Sequence, residues 1–174
     1  MGYFAGVKGS DEFEQIIKQL RLTFRDIDVS RFQGLREQSH ITLAHLGKQR
    51  PDTEGFQEVA MSIAPFEISI EGMRIFRNRE MSHLVLDIAQ GADELRQLNA
   101  ALRSVDKVPQ RNYTPHMTVI SDPTVQGYQE MLKLRDKHQG HVWGRMVVTS
   151  FYLFSSTAGV SRAVDQWRLL GEML

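Results

Sequence analysis

A strand pattern that occurs twice constrains this fold more than any other feature. The segments HITLAHLG, His40–Gly47, and HMTVIS, His116–Ser121, each open on His-x-Thr and continue in apolar residues, as a strand with one buried face does. They stand close to half the 174-residue chain apart. Their surroundings repeat as well. Before the first lie a short strand at Tyr3–Gly9 and a helix at Ser10–Phe24, with Ser10 as N-cap and Phe13, Ile16, Ile17 and Leu20 as its apolar stripe. After it come a helix near Thr53–Ile63 and a strand at Phe66–Phe76. Around the second, a strand at His83–Ile88 leads to a helix at Ala92–Val105, with Leu95, Leu98 and Leu102 on one face. A helix near Thr124–His138 follows, then a strand-rich tail at Arg145–Ser156 and Val164–Met173. Both halves read strand, helix, loop, His-x-Thr strand, helix, strand. The expected fold is therefore a duplicated α+β unit: one domain over residues 1–174, built of two pseudo-symmetric lobes that each contribute one His-x-Thr motif.

On a strand, residues two apart share a face. His40 and Thr42 therefore point together, as do His116 and Thr118, with Ile41, Leu43, Met117 and Val119 on the reverse side. Two imidazoles and two hydroxyls form a set suited to phosphodiester chemistry. A neutral histidine can take a proton from the attacking oxygen while a protonated one gives a proton to the leaving oxygen. The threonine hydroxyls can donate to non-bridging phosphate oxygens, where charge builds in the transition state. Such a set calls for no metal and no cofactor, and the sequence offers no HExxH helix, no Gly-rich phosphate loop and no cysteine.

The remaining candidates are weaker. Tyr3, at the first strand, and Tyr113, before the second motif, could stack on a base. Arg77 and Arg111, in loops, are candidates for a phosphate-steering cation. The odd spacing of His45 from His40 turns it toward the core face, His138 and His141 flank a turn, and His83 begins a strand without a carboxylate in view. With 21 basic and 21 acidic residues, the chain lacks the basic face that long nucleic acid requires. The expected partner is a nucleotide or short oligonucleotide. The opening residues have no basic region followed by an apolar stretch, and no apolar run reaches spanning length, so a cytoplasmic protein off the membrane is expected.

HITLAHLG and PHMTVIS resemble the two-histidine (2H) phosphoesterase superfamily, which includes the LigT-like RNA 2',3'-cyclic phosphodiesterases. Its pattern is His, any residue, Thr and an apolar residue, twice. Pro115, the opening YFAGVKG and the late FYLFSS extend the likeness over nearly the whole chain. The resemblance implies a two-lobed α+β fold, with two antiparallel sheets around a central cleft and helices outside. It implies His40 and His116 as the acid/base pair, in an order the sequence leaves open, and Thr42 and Thr118 as phosphate holders. It also implies action on 2',3'-cyclic or 2'-linked nucleotide or RNA phosphodiesters. LigT-like proteins often carry an arginine shortly after the second motif, whereas Ser121 and Asp122 follow Ile120 here. That departure keeps two alternatives open: degradation of cyclic oligonucleotide or 2'-5' oligoadenylate signals of the kind bacteriophages destroy, and a non-catalytic nucleotide- or RNA-binding module.

Overall fold

Helical spacing of apolar residues seats each long helix on a sheet. The first strand, β1 (Gly2–Lys8), leads into α1 (Asp11–Leu22), which buries Phe13, Ile17 and Leu20 and is capped by Ser10, whose side chain accepts from the Phe13 N–H at 3.4 Å. The motif strand β2 (His40–Gly47) follows, then α2 (Phe56–Ser62), shorter at its start than the pattern suggested. Next come β3 (Phe66–Arg77), β4 (Ser82–Ile88) and α3 (Ala92–Val105), which buries Leu95, Leu98 and Leu102. The second motif strand is β5 (His116–Asp122), and α4 (Val125–Lys137) follows, capped by Thr124. The chain then runs through β6 (Val142–Val148), β7 (Ser150–Thr157) and β8 (Val160–Arg168). The computed structural model describes residues 2–24, 38–105, 112–157 and 160–171.

The strands form one eight-stranded sheet in the order β6-β3-β4-β5-β2-β1-β7-β8, antiparallel throughout. The expected pair of sheets is present as two four-stranded halves, made continuous by a single pairing of Ile41 with Met117. These are the middle residues of the two His-x-Thr triplets, and both are fully buried. The motif strands thus touch at one point and diverge beyond it, which opens the cleft.

The halves of the sheet are not the halves of the sequence. Strand β3 leaves β2 to pair with β4 and β6, while β7 returns to pair with β1. The tail segment Arg145–Ser156, expected as one strand-rich run, breaks at Thr149 into strands lying on opposite sides of the sheet. The final strand lies at Val160–Arg168 rather than Val164–Met173, whose last residues fall outside the described ones.

Matched irregularities shape the two motif strands. Against β1, Ala44 faces Ala5 and Thr42 faces Gly6, so Leu43 is an extra residue in β2. Against β4, Ile120 faces Leu84 and Thr118 faces Val85, so Val119 is an extra residue in β5. Both stand three positions after the motif histidine. A bulge leaves a ladder carbonyl without its usual partner, and helices supply one in both cases. Arg21 Nε donates to the Val119 carbonyl at 2.7 Å, and the buried Asn99 Nδ2 donates to the Leu43 carbonyl.

Candidate active site

The bulges decide what the cleft contains. One extra residue reverses the side-chain alternation of a strand, so the fifth position after each histidine returns to the open face. The buried and open positions of β2 and β5 run in parallel as a result: His40 and Thr42 open, Leu43 and Ala44 buried, His45 open; His116 and Thr118 open, Val119 and Ile120 buried, Ser121 open. The odd spacing that assigned His45 to the core is overturned by the Leu43 bulge.

A cleft of about 690 Å³ lies on this face. His40, Thr42, His116 and Thr118 all line it, together with His45, His83, Ser121 and Tyr113. Each motif histidine is held in the same way. His40 Nδ1 meets the Gln38 carbonyl at 2.9 Å, and His116 Nδ1 meets the Thr114 carbonyl at 2.8 Å, each two residues back. A carbonyl only accepts, so Nδ1 carries the proton and Nε2 is left for the substrate. Aromatic rings support both imidazoles: Phe4 and Phe154 lie 4.9 and 5.5 Å from His40, and Phe76 stands edge-on 4.9 Å from His116.

Burial, opposed by the Thr114 hydrogen bond and the Asp87 carboxylate and reinforced by His40 and Arg74, leaves His116 below its ordinary pKa. Asp87 stands opposite His116 across the β4–β5 ladder and pairs with Arg74. Burial and the charge of His116 lower His83 as well, and its Nδ1 lies 2.7 Å from Ser121 Oγ.

Tyr113 lines the cleft and its hydroxyl donates to the Thr42 carbonyl at 2.9 Å, tying the segment before the second motif to the first motif strand. Burial pushes that phenol up, so it remains a donor. Tyr3 lines an adjoining cavity. Arg77 does not reach the cleft; it stands exposed at the end of β3 with its guanidinium 4.7 Å from the Tyr128 ring. Arg111 lies outside the described residues. His138 and His141, which flank the turn, lie against Trp143 on the surface, His141 exposed and His138 partly so.

Among the described residues, the cations that line the cleft come from helices. Arg21 ends α1 and Arg103 is in the last turn of α3. Each follows a buried leucine, Leu20 and Leu102, so the recurrence of Leu-Arg at the ends of the two repeat helices was the available signal. No Asp or Glu is among the described residues lining the cleft, in a chain whose charges otherwise balance. An anion of phosphate type fits such a lining.

A family model for the 2'-5' RNA ligase superfamily matches residues 9–156. Among solved structures, apo LigT of E. coli is 20% identical over 96% of both chains, with a TM-score of 0.71. The 3'-AMP complex of E. coli LigT is 21% identical over 97% of both chains, at 0.66. TT0787 of Thermus thermophilus is 19% identical over 99% of this chain and 100% of its own, at 0.68. These likenesses show a shared fold. No curated protein matches the sequence.

Proposed function

The chain belongs to the 2'-5' RNA ligase superfamily of 2H phosphoesterases, and from that premise we propose that it is a metal-independent phosphodiesterase acting on 2',3'-cyclic or 2'-linked nucleotide phosphodiesters. The carrying observation is the matched pair of imidazoles, each with Nδ1 bound to its own backbone carbonyl and Nε2 left for substrate in one cleft. In this reading His116, which burial biases toward the neutral form, takes a proton from the attacking water through Nε2. A P–O bond to the water oxygen forms, the P–O bond to the ribose oxygen breaks, and His40 Nε2–H gives that oxygen its proton. Thr42 and Thr118 donate to the non-bridging oxygens, and Arg21 and Arg103 offset the phosphate charge in place of Arg77. The matched bulges favour reading residues 1–174 as one domain of two pseudo-symmetric lobes. The complex of LigT with 3'-AMP supports a nucleotide as the ligand class.

The test is product analysis after incubation in excess chelator with a panel of 2',3'-cyclic mononucleotides, 2'-5' oligoadenylate, cyclic di- and trinucleotides and short RNA. Consumption of one class identifies the substrate. Binding without consumption makes the protein a nucleotide-binding module, and a strict divalent-metal requirement sinks the two-imidazole mechanism.

The base assignment also has a pH signature. His116 must be neutral to act, so activity is lost as pH falls through its pKa, which lies below the ordinary value of about 6.5. Asp87 raises that pKa, so Asp87→Asn is expected to move the acid limb of the kcat/KM profile further down, with the plateau rate largely kept. An acid limb that stays in place or moves up refutes His116 as the base.

A further inference from the structure

The turn between α4 and β6 carries two imidazoles apart from the cleft. His138 is the C-cap of α4, its N–H bonded to the Leu134 and Arg135 carbonyls. His141 stands just before β6. The His141 N–H closes the turn on the His138 carbonyl at 3.1 Å, and Gly140, at φ +70°, supplies its left-handed residue. Strand β3 holds the far side. The Gly72 N–H donates to the His141 carbonyl at 2.7 Å, and Trp143 Nε1 donates to the Gly72 carbonyl at 3.0 Å. The backbone under both histidines is thus fixed, while among the described residues neither of their rings makes a hydrogen bond.

The two rings lie 5.6 Å apart between centres with their planes at 75°, and Trp143 lies 5.1 and 4.3 Å from them. Imidazole nitrogens bind zinc at about 2.0–2.1 Å, which sets the ring centres about 3.2 Å from the ion and, at the tetrahedral angle, about 5.2 Å from each other. A small rotation about the soft terminal torsion of histidine covers the difference. No hydrogen bond is lost in making it. A ligand imidazole must also be neutral, and burial, then Lys137, then His141 hold the pKa of His138 down.

We propose that His138 and His141 bind a divalent transition-metal ion of the class that imidazole prefers, zinc or copper(II), which clips the end of α4 to the start of β6. Among the described residues no third His, Cys, Asp or Glu joins the pair, so water completes the coordination shell. His138, His141 and Trp143 do not line the cleft. The ion therefore takes no part in the two-imidazole reaction, and this site stands or falls independently of the phosphodiesterase reading.

The experiment titrates the untagged full chain with zinc chloride by calorimetry and with copper(II) by tryptophan fluorescence. The proteins are the wild type, His138→Ala, His141→Ala, Trp143→Phe and His40→Ala. The wild type is expected to bind a single zinc ion. Affinity should fall about tenfold or more in His138→Ala and in His141→Ala, since removing even an outer partner of a metal ligand costs that much. His40→Ala should bind as the wild type does. Copper(II) should quench Trp143, whereas the other tryptophan, Trp167, lies on β8 at the opposite edge of the sheet. Trp143→Phe should accordingly lose the quenching and keep the zinc affinity. Absence of saturable binding, or unchanged affinity in both alanine variants, overturns the proposal. So does a loss of binding in His40→Ala, which would put the ion in the cleft, or quenching that survives Trp143→Phe.

Discussion

Alanine in place of His40 or of His116 is expected to lower kcat/KM by about 10²–10⁴, the usual contribution of one positioned acid or base. Neither imidazole belongs to the buried core, so the melting temperature should change little. The two losses are not expected to add. Acid and base act in one transition state, and once either is gone the other has little left to assist. The double variant should therefore fall only slightly below the worse single variant. Single-turnover rates on the substrate identified by the panel check this, with circular dichroism to verify folding. A single variant that keeps the wild-type rate removes that histidine from the mechanism.

The largest stability loss is expected from Phe154→Ala, about 3–5 kcal/mol, the range for deleting a buried aromatic ring. Phe154 is fully buried and stacks on Phe4 at 4.8 Å with the planes 4° apart. Strand β1 leaves space for it: a methyl on Gly6 would come within 3.3 Å of the Phe154 ring. Urea unfolding should show a lower midpoint at an unchanged slope. The variant that remains folded should also turn over more slowly, because His40 rests on the same ring. An unchanged urea midpoint refutes this account of the packing.

Period and pattern brought out the four motif side chains that share the cleft and most of the elements. His-x-Thr opens an alternating segment twice, and alternation alone puts His40 with Thr42 and His116 with Thr118. Where the reading failed, the deciding physics was non-local. The exposure of His45 depends on an extra residue in β2 that exists only relative to β1, and nothing in HITLAHLG announces it. Arg77, a phosphate-steering candidate by its place near a loop, ends β3 away from the cleft, whereas Arg21 and Arg103 line the cleft from helix ends, and their reach depends on how those helices cross the sheet. The break at Thr149 was hidden because residues on both sides favour strands, and only the separate partners of β6 and β7 divide them.

The pairing of β1 with β7 joins Gly2 to Ser156, almost the full span of the chain. Contacts so distant in sequence form slowly, because the intervening loop must close before they contribute. Both His-x-Thr motifs emerge from the ribosome well before Phe154, the ring beneath His40. A chain halted or clipped ahead of β7 would carry all four motif side chains and still lack the ring that supports His40. The packing around His40 is thus completed late in synthesis, and under the proposed mechanism removal of the final strands is expected to abolish turnover with both motifs intact.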